Sequence, residues 1–303
     1  MKTKLGAWIA AARLRTLPLS LSGIIIGIAL AFSQGQFSYL VAIFCFLTTI
    51  SYQVLSNFAN DYGDGIKGTD NEERIGPARA IQSGSLSPTE MKNGIILTVV
   101  ISIFFTVCLL SFSFTQEMLL TAFLFFILGA IAVIAAIKYT VGNNAYGYKG
   151  LGDVFVFIFF GLVSVMGSYF LLTKHWNWTL LLPAISVGML SVGVLNLNNM
   201  RDIENDKKAG KNTLVVKMGS KLARYYHYYI IISAMLLTVL FTILNYTSPF
   251  NFLYIIAFIP LMMHLNRVKN NSNPKMLDPE LKKLALSTFL FALLFALSIN
   301  IFL

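Results

Sequence analysis

Nine stretches of about twenty mostly apolar residues divide this chain, roughly at 16–33, 38–60, 93–113, 118–139, 153–173, 178–199, 226–246, 249–266 and 284–303. About twenty apolar residues in a helix span the ~30 Å hydrocarbon core of a bilayer. In lipid every backbone N–H and C=O must find its partner within the protein, and continuous segments of this length do so as helices. The expected fold is an all-α polytopic membrane protein with nine transmembrane helices. Only 12% of the residues are charged, against about 25% in soluble domains, and the apolar segments leave no room for a soluble domain. Residues 1–303 therefore read as one integral-membrane domain. Pro18 interrupts the first stretch and no small-residue cleavage site stands out, so it reads as a retained helix, not a signal peptide.

Nine spans place the termini on opposite sides. With the N-terminus inside, the inner segments and adjoining helix ends hold 22 of the 23 Lys and Arg residues, leaving only Lys174 outside. The positive-inside rule therefore puts the N-terminus in the cytoplasm, as expected in a bacterial cytoplasmic membrane. The net charge of +10 has this topological explanation and needs no nucleic-acid partner; no protein partner is inferable. Twelve of the 13 acids share the inner side, Glu117 being the exception. Acids contribute little to topology, so their clustering needs another cause. Cys45 and Cys108 lie within apolar runs and offer no disulfide or metal spacing. His175, His227 and His264 are scattered and show no ligand pattern.

Two stretches concentrate the acids where apolar segments end: NFANDYGDGIKGTD, Asn57 to Asp70, and NLNNMRDIENDKKAGKNT, Asn196 to Thr213. Asn57, Asp61 and Asp64 follow i, i+4, i+7, one face of a helix that continues past the membrane boundary. Asn198, Asp202 and Asp206 follow i, i+4, i+8. If the two helix ends meet, four carboxylates converge. Two like charges 4 Å apart repel by about 4 kcal/mol at an effective dielectric of 20, and a divalent cation removes that cost. Oxygen ligands suit Mg2+ or Ca2+ better than zinc. Among the acids lie Lys67, Arg74, Arg79, Arg201, Lys207, Lys208 and Lys211, which can bind phosphate oxygens. Metal-binding acids with interspersed bases describe a diphosphate site; the plainer alternative is two solvated, helix-capping loops.

A third inner loop, KYTVGNNAYGYKGLGD, runs from Lys138 to Asp153. Its tyrosines, Tyr139, Tyr146 and Tyr148, suit an interfacial belt or an aromatic wall over a cation. Its glycines allow tight turns or close approach to a ligand. Near the N-terminus, WIAAARLRTLPLS supplies Arg13 and Arg15, as phosphate contacts or as topology charges.

The two acidic stretches together resemble the motifs of the UbiA superfamily of intramembrane prenyltransferases. The phrases NFANDYGDGIKGTDNEERIGPARAIQSGSLSP, YGYKGLGD and NNMRDIENDKKAGKNTLVVKMG resemble its menaquinone branch, the 1,4-dihydroxy-2-naphthoate polyprenyltransferases. The resemblance runs from AAARLRTLP to about Gly219; the last three helices carry no usable motif. It implies nine helices around a central cavity capped by the inner loops. It also implies Mg2+-dependent transfer of a polyprenyl chain from its diphosphate to an aromatic acceptor, with decarboxylation to a demethylmenaquinone. By position it implies metal-binding and catalytic roles for Asp61, Asp64, Asp202 and Asp206, with Tyr139 stabilising an allylic cation. Expected substrate contacts are Asn57, Asn60, Lys67, Arg79, Gln82, Lys138, Asn198, Lys211, Arg13, Tyr146 and Asp153. Two positions depart from the pattern. Asn143 stands where many members carry a base, which shifts phosphate contact by this loop to Lys138 or Lys149. Ala145 stands where the branch often has proline. The rival readings are a same-fold enzyme with another acceptor, such as 4-hydroxybenzoate, and a cation-coupled transporter.

Overall fold

The computed structural model describes residues 3–71 and 75–301. Among them nine helices are long and apolar enough to cross a membrane: α1 Lys4–Phe32, α2 Tyr39–Ile66, α3 Pro88–Ser113, α4 Gln116–Lys138, α5 Gly152–Thr173, α6 Trp178–Arg201, α7 Leu214–Leu244, α8 Pro249–Lys269 and α9 Pro274–Asn300. The chain is an integral membrane protein. Each helix covers one predicted stretch, and several run further on the acid-bearing side. Hydropathy marks where lipid ends, whereas a polar helical turn can continue beyond it. α2 thus extends to Ile66 and carries Asp61 and Asp64 in its last turns.

Local chemistry sets the boundaries. Arg13, at φ 48°, closes the first segment of α1 at Ala12. After a short 3-10 turn the helix resumes at Leu17 with Pro18 in its first turn, where a missing N–H leaves no bond unmade. Pro18 thus starts the spanning segment where interruption was expected. Ser87 and Glu90 form a reciprocal capping box at the start of α3: Glu90 N donates to Ser87 Oγ at 3.2 Å, and Ser87 N donates to Glu90 Oε2 at 2.9 Å.

The buried apolar side chains form unequal masses. The largest joins α1 and α5 to α6–α9 through residues such as Ile26, Val165, Leu190, Ile231 and Phe291. A smaller one packs the first segment of α1 against α2–α4 through Ala7, Leu55, Met91 and Val133. Gly23 and Gly27 let α1 lie close against α5, because a Cβ on either would run into Ser164 or Ser168. In their most apolar windows α6 is 67% buried and α4 only 11%, so α6 is central and α4 faces lipid. A cavity of about 340 Å³ opens among α1–α5, with Leu195 as the contribution of α6. α7–α9 complete the bundle without lining it.

Candidate active site

Three polar segments close over one end of this cavity. The end of α2 meets the segment after α6: Lys211 Nζ lies 3.3 Å from Asp64 Oδ2, and Asn205 Nδ2 donates to Thr69 O at 2.9 Å. The segment between α4 and α5 locks both. Tyr148 donates to Asp64 Oδ1 at 2.8 Å and shares a 2.6 Å bond with Thr69 Oγ1. Asn212 N donates to Tyr148 O at 3.1 Å. Lys67 Nζ stands 3.9 Å from the Tyr148 ring centroid and donates to Thr140 O at 2.7 Å; Lys211 Nζ stands 5.3 Å from the same ring. Gly142 and Gly150, both at positive φ, supply the turns this segment requires.

The four aspartates differ in surroundings. Asp61 is turned to the segment after α2, accepting from Ala80 N at 3.1 Å and Ile81 N at 3.3 Å. Asp64 takes Tyr148 and Lys211. Asp202 holds Arg201 through two bonds, of 2.8 and 2.6 Å. Asp206 is buried; burial pushes its carboxyl up to about 7, with Asp202 and Asp64 adding to the rise and Lys211 opposing it. Burial disfavours the Lys211 ammonium, but Asp64 and Asp206 outweigh it and raise its pKa. The predicted i, i+4, i+8 stripe is interrupted: α6 ends at Arg201, Asp202 leaves helical geometry, and a separate helix spans Ile203–Lys208. The near approach is therefore across segments, with Asp64 and Asp206 both acting on Lys211, more than along each helix.

The other candidates divide into cavity, mouth and loop. Asn57, Asn60, Tyr139 and Tyr146 line the cavity. Asn57 Nδ2 also donates to Ala12 O at 2.9 Å, and Arg13 Nη2 donates to Asn57 O at 3.4 Å. This pair therefore fastens the break in α1 to α2. Tyr139 packs edge-on to Tyr146, whose ring stacks on Phe155 with centroids 3.9 Å apart. Burial pushes the Tyr139 hydroxyl up to about 12, keeping it neutral. Asn198 Oδ1 accepts from Arg201 Nη2 at 2.9 Å. Arg79 Nε lies 3.7 Å from Asp70, while Gln82 donates to Asn71 O at 2.6 Å within its own loop. Asp153 is buried at the start of α5, its Oδ2 without a hydrogen-bond partner. Lys138 and Lys149 are exposed. Arg74 lies outside the described residues. Thr69, Asn205 and Gln53, the last of which lines the cavity, were not chosen as site candidates from the sequence, and Tyr148 was read there only as part of an interfacial belt or an aromatic wall. Only Tyr148 had a signal there, as the second tyrosine of YGYKGLGD.

Among the described residues no three His, Cys, Asp or Glu side chains are grouped to hold a metal by themselves. The donor set nevertheless suits Mg2+, which binds one or two carboxylates and completes its shell with water and substrate phosphate. Asp64 and Asp206 offer hard oxygen donors. Asn205 Oδ1 is buried without a hydrogen-bond partner.

A helical bundle with an apolar cavity, closed by acids, bases and tyrosines, has the form of an intramembrane enzyme acting on a substrate part lipid and part anion. The chain belongs to the UbiA prenyltransferase family, whose profile matches residues 20–286, and it is a prenyltransferase. This decides against the transporter reading. It is 45% identical to the 1,4-dihydroxy-2-naphthoate octaprenyltransferase of Haemophilus influenzae over 98% of this chain and 97% of that one. It is 42% identical to the enzyme of the same name from Escherichia coli, over 97% and 94%. A solved UbiA homologue from Archaeoglobus fulgidus, bound to GPP and Mg2+, matches with a TM-score of 0.62 and 15% identity over 94% of this chain and 99% of that one. At that identity the likeness establishes the fold.

Proposed function

We propose that this protein transfers a polyprenyl chain from its diphosphate to 1,4-dihydroxy-2-naphthoate, with loss of CO2, to give a demethylmenaquinol, the reduced form of a demethylmenaquinone, in menaquinone biosynthesis. The observation that carries the reading is 45% and 42% identity, over nearly the whole chain, to two proteins named for this acceptor. The diphosphate sits at the mouth, on Lys211, Lys67 and Arg79. Asp64 and Asp206, with Asp61 and Asp202 in the same two acidic segments, would hold Mg2+, which when bound would supply Lewis-acid neutralisation of charge on the leaving diphosphate. Preorganised charge of this kind is often the largest catalytic contribution. The allylic C–O bond breaks and its electron pair leaves with the diphosphate. Tyr139 and Tyr146 present aromatic faces to the resulting cation, and the apolar cavity keeps water from it. The electron-rich naphthoate ring then forms the new C–C bond, and its carboxylate leaves as CO2, returning an electron pair to the ring. The mouth faces the cytoplasm of a bacterial cell, an orientation that the distribution of Lys and Arg supports.

The test is purified protein in detergent with a polyprenyl diphosphate, Mg2+ and either 1,4-dihydroxy-2-naphthoate or 4-hydroxybenzoate. The expected product has the mass of the prenylated, decarboxylated naphthohydroquinone, or of the quinone that air forms from it. Prenylation of 4-hydroxybenzoate alone would overturn the acceptor assignment; a product that keeps the carboxylate would overturn the decarboxylation.

A further inference from the structure

α7–α9 do not line the cavity, yet they contain a buried chain of polar side chains. His227 of α7 and His264 of α8, which had no evident relation in the sequence, meet Nε2 to Nε2 at 2.9 Å. At one end His264 Nδ1 lies 2.9 Å from Glu280 Oε2 of α9. At the other, His227 Nδ1 lies 3.3 Å from Asn196 Nδ2 of α6. Asn196 and His227 are 0% exposed, His264 1% and Glu280 4%.

The two ends fix where the protons are. Asn196 Nδ2 also donates to Ala223 O at 3.2 Å, and a carbonyl can only accept, so the amide nitrogen faces α7. His227 Nδ1 must then accept, which leaves the proton on Nε2 to donate to His264 Nε2. His264 in turn carries its proton on Nδ1 and donates to the Glu280 carboxylate. Each imidazole is satisfied in one tautomer, and all the bonds point from α6 to α9. Glu280 Oε1 is held from the rim by Lys283 at 2.6 Å and Arg267 at 3.4 Å.

A second line joins the same two helices. Arg201, which grips Asp202 and Asn198, also pairs with Asp278, two residues before Glu280. The start of α9 therefore reaches α6 twice, directly through Arg201 and by relay through both imidazoles. Apolar helix faces in lipid have no hydrophobic force pressing them together, and interhelical hydrogen bonds add to van der Waals packing in holding them. A directional chain fits one axial register. Asn196 lies just over one turn before Arg201 on the same helix.

We propose that Asn196, His227, His264 and Glu280 are positioning residues that fix the register of α6 and so place Asn198, Arg201 and Asp202 against the diphosphate and its Mg2+. The inference rests on the proposed function. None of the four touches substrate; they act through α6.

The experiment compares full-length wild type, His264→Phe, Glu280→Leu, Glu280→Gln and Asn196→Ala in detergent. Two quantities are read: the rise in Tm on adding Mg2+ with an unreactive prenyl thiodiphosphate, and kcat, Mg2+ half-saturation and acceptor KM. His264→Phe, Glu280→Leu and Asn196→Ala are expected to lose about tenfold in kcat, as loss of one strong interhelical hydrogen bond implies. Their Mg2+ half-saturation should rise and the ligand-induced Tm rise should shrink, with acceptor KM unchanged. Glu280→Gln still offers an oxygen to His264 and should behave like wild type. If His264→Phe does not fold, Asn196→Ala and the two Glu280 variants carry the same comparison. Wild-type Mg2+ half-saturation and Tm rise in the folded relay variants would overturn the proposal, as would a Glu280→Gln protein as impaired as Glu280→Leu. A wild type whose Tm ignores Mg2+ and the thiodiphosphate would refute the proposed function itself, and this inference with it.

Discussion

Replacing Lys211 with alanine removes the ammonium shared by the two acidic segments. Its Nζ is 3.3 Å from Asp64 Oδ2, and Asp206 adds to its field. At that separation the attraction to one carboxylate is about 5 kcal/mol at an effective dielectric of 20. Desolvation of both groups takes back much of it. What remains is of the size measured for charged hydrogen bonds, roughly 1.5–3 kcal/mol. If Lys211 makes that interaction with the leaving diphosphate in the transition state, its loss costs about tenfold to a hundredfold in kcat. Lys282 is the control: it lies on the same side and counts equally toward topology, but it is exposed on α9. Steady-state turnover of Lys211→Ala and Lys282→Ala at saturating Mg2+ is the assay, with Tm measured on each. Lys282→Ala should stay within about twofold of wild type, as a surface charge worth under 1 kcal/mol implies. Equal turnover in the two variants would mean that Lys211 serves only topology and local pairing. The diphosphate clamp would then have to be Lys67, Arg79 or Lys138.

Other consequences are testable with the same preparation. Asp64→Ala, Asp202→Ala and Asp206→Ala should nearly abolish turnover in folded protein, and EDTA should silence the wild type until Mg2+ is restored; a fully active Asp206→Ala would remove the second acidic segment from the site. Tyr148→Phe deletes the 2.8 Å bond to Asp64 and the 2.6 Å bond with Thr69 but keeps the ring under Lys67, so kcat should fall about tenfold to a hundredfold, the value of a hydrogen bond to a charged group; a loss of about a thousandfold would give the hydroxyl a direct catalytic part. Cysteines at Ser85 and Ser272, both exposed, in a background lacking Cys45 and Cys108, should resist a membrane-impermeant thiol reagent in intact cells and react once the membrane is opened. Labelling in intact cells would reverse the orientation. Thr69 and Thr213 are unsuitable for this, being buried.

The spans were legible because lipid imposes a length and an apolar composition on any helix that crosses it. Their ends were less so. α7 begins at Leu214 and α9 at Pro274, each well before the apolar stretch predicted for it: a helical turn precedes a break at Gly219, at φ 78°, in α7, and a 3-10 turn precedes the helix proper at Asp278 in α9. The nearness of the two acidic segments was legible from their repeated pattern at helix ends. Which cation each aspartate takes was not. Asp61 bonds to the backbone at Ala80 and Ile81, which depends on the path of an irregular loop with no periodicity. Asp202 takes the arginine next to it, and that pairing coincides with the end of α6. His227 and His264, 37 residues apart in the chain, have no local spacing by which they could be paired, because their contact depends on how α7 and α8 pack.

α6 belongs to both halves of the molecule, and this has a mechanical consequence. The cavity side, α1–α5, is loosely filled, with about 340 Å³ of space, and on the proposed function it accommodates a tail and a ring. The α6–α9 side is densely packed around Leu190, Ile231 and Phe291. A site that positions reacting groups to within fractions of an ångström, as the proposed diphosphate site would, loses effectiveness with small misplacements. Asp64, on α2, belongs to the loosely filled half and is steadied by Tyr148 and Lys211 from other segments. Asp202 caps the end of α6, a helix anchored in the packed half, and Asp206 lies on the short helix that follows it. The first acidic segment therefore depends on its partners in the mouth, whereas the second inherits its position from the core. Substitutions in α7–α9, which do not line the cavity, should be felt through the second segment, whereas substitutions on the exposed face of α4, at residues such as Leu120, Phe123 and Ile127, should be felt little at either.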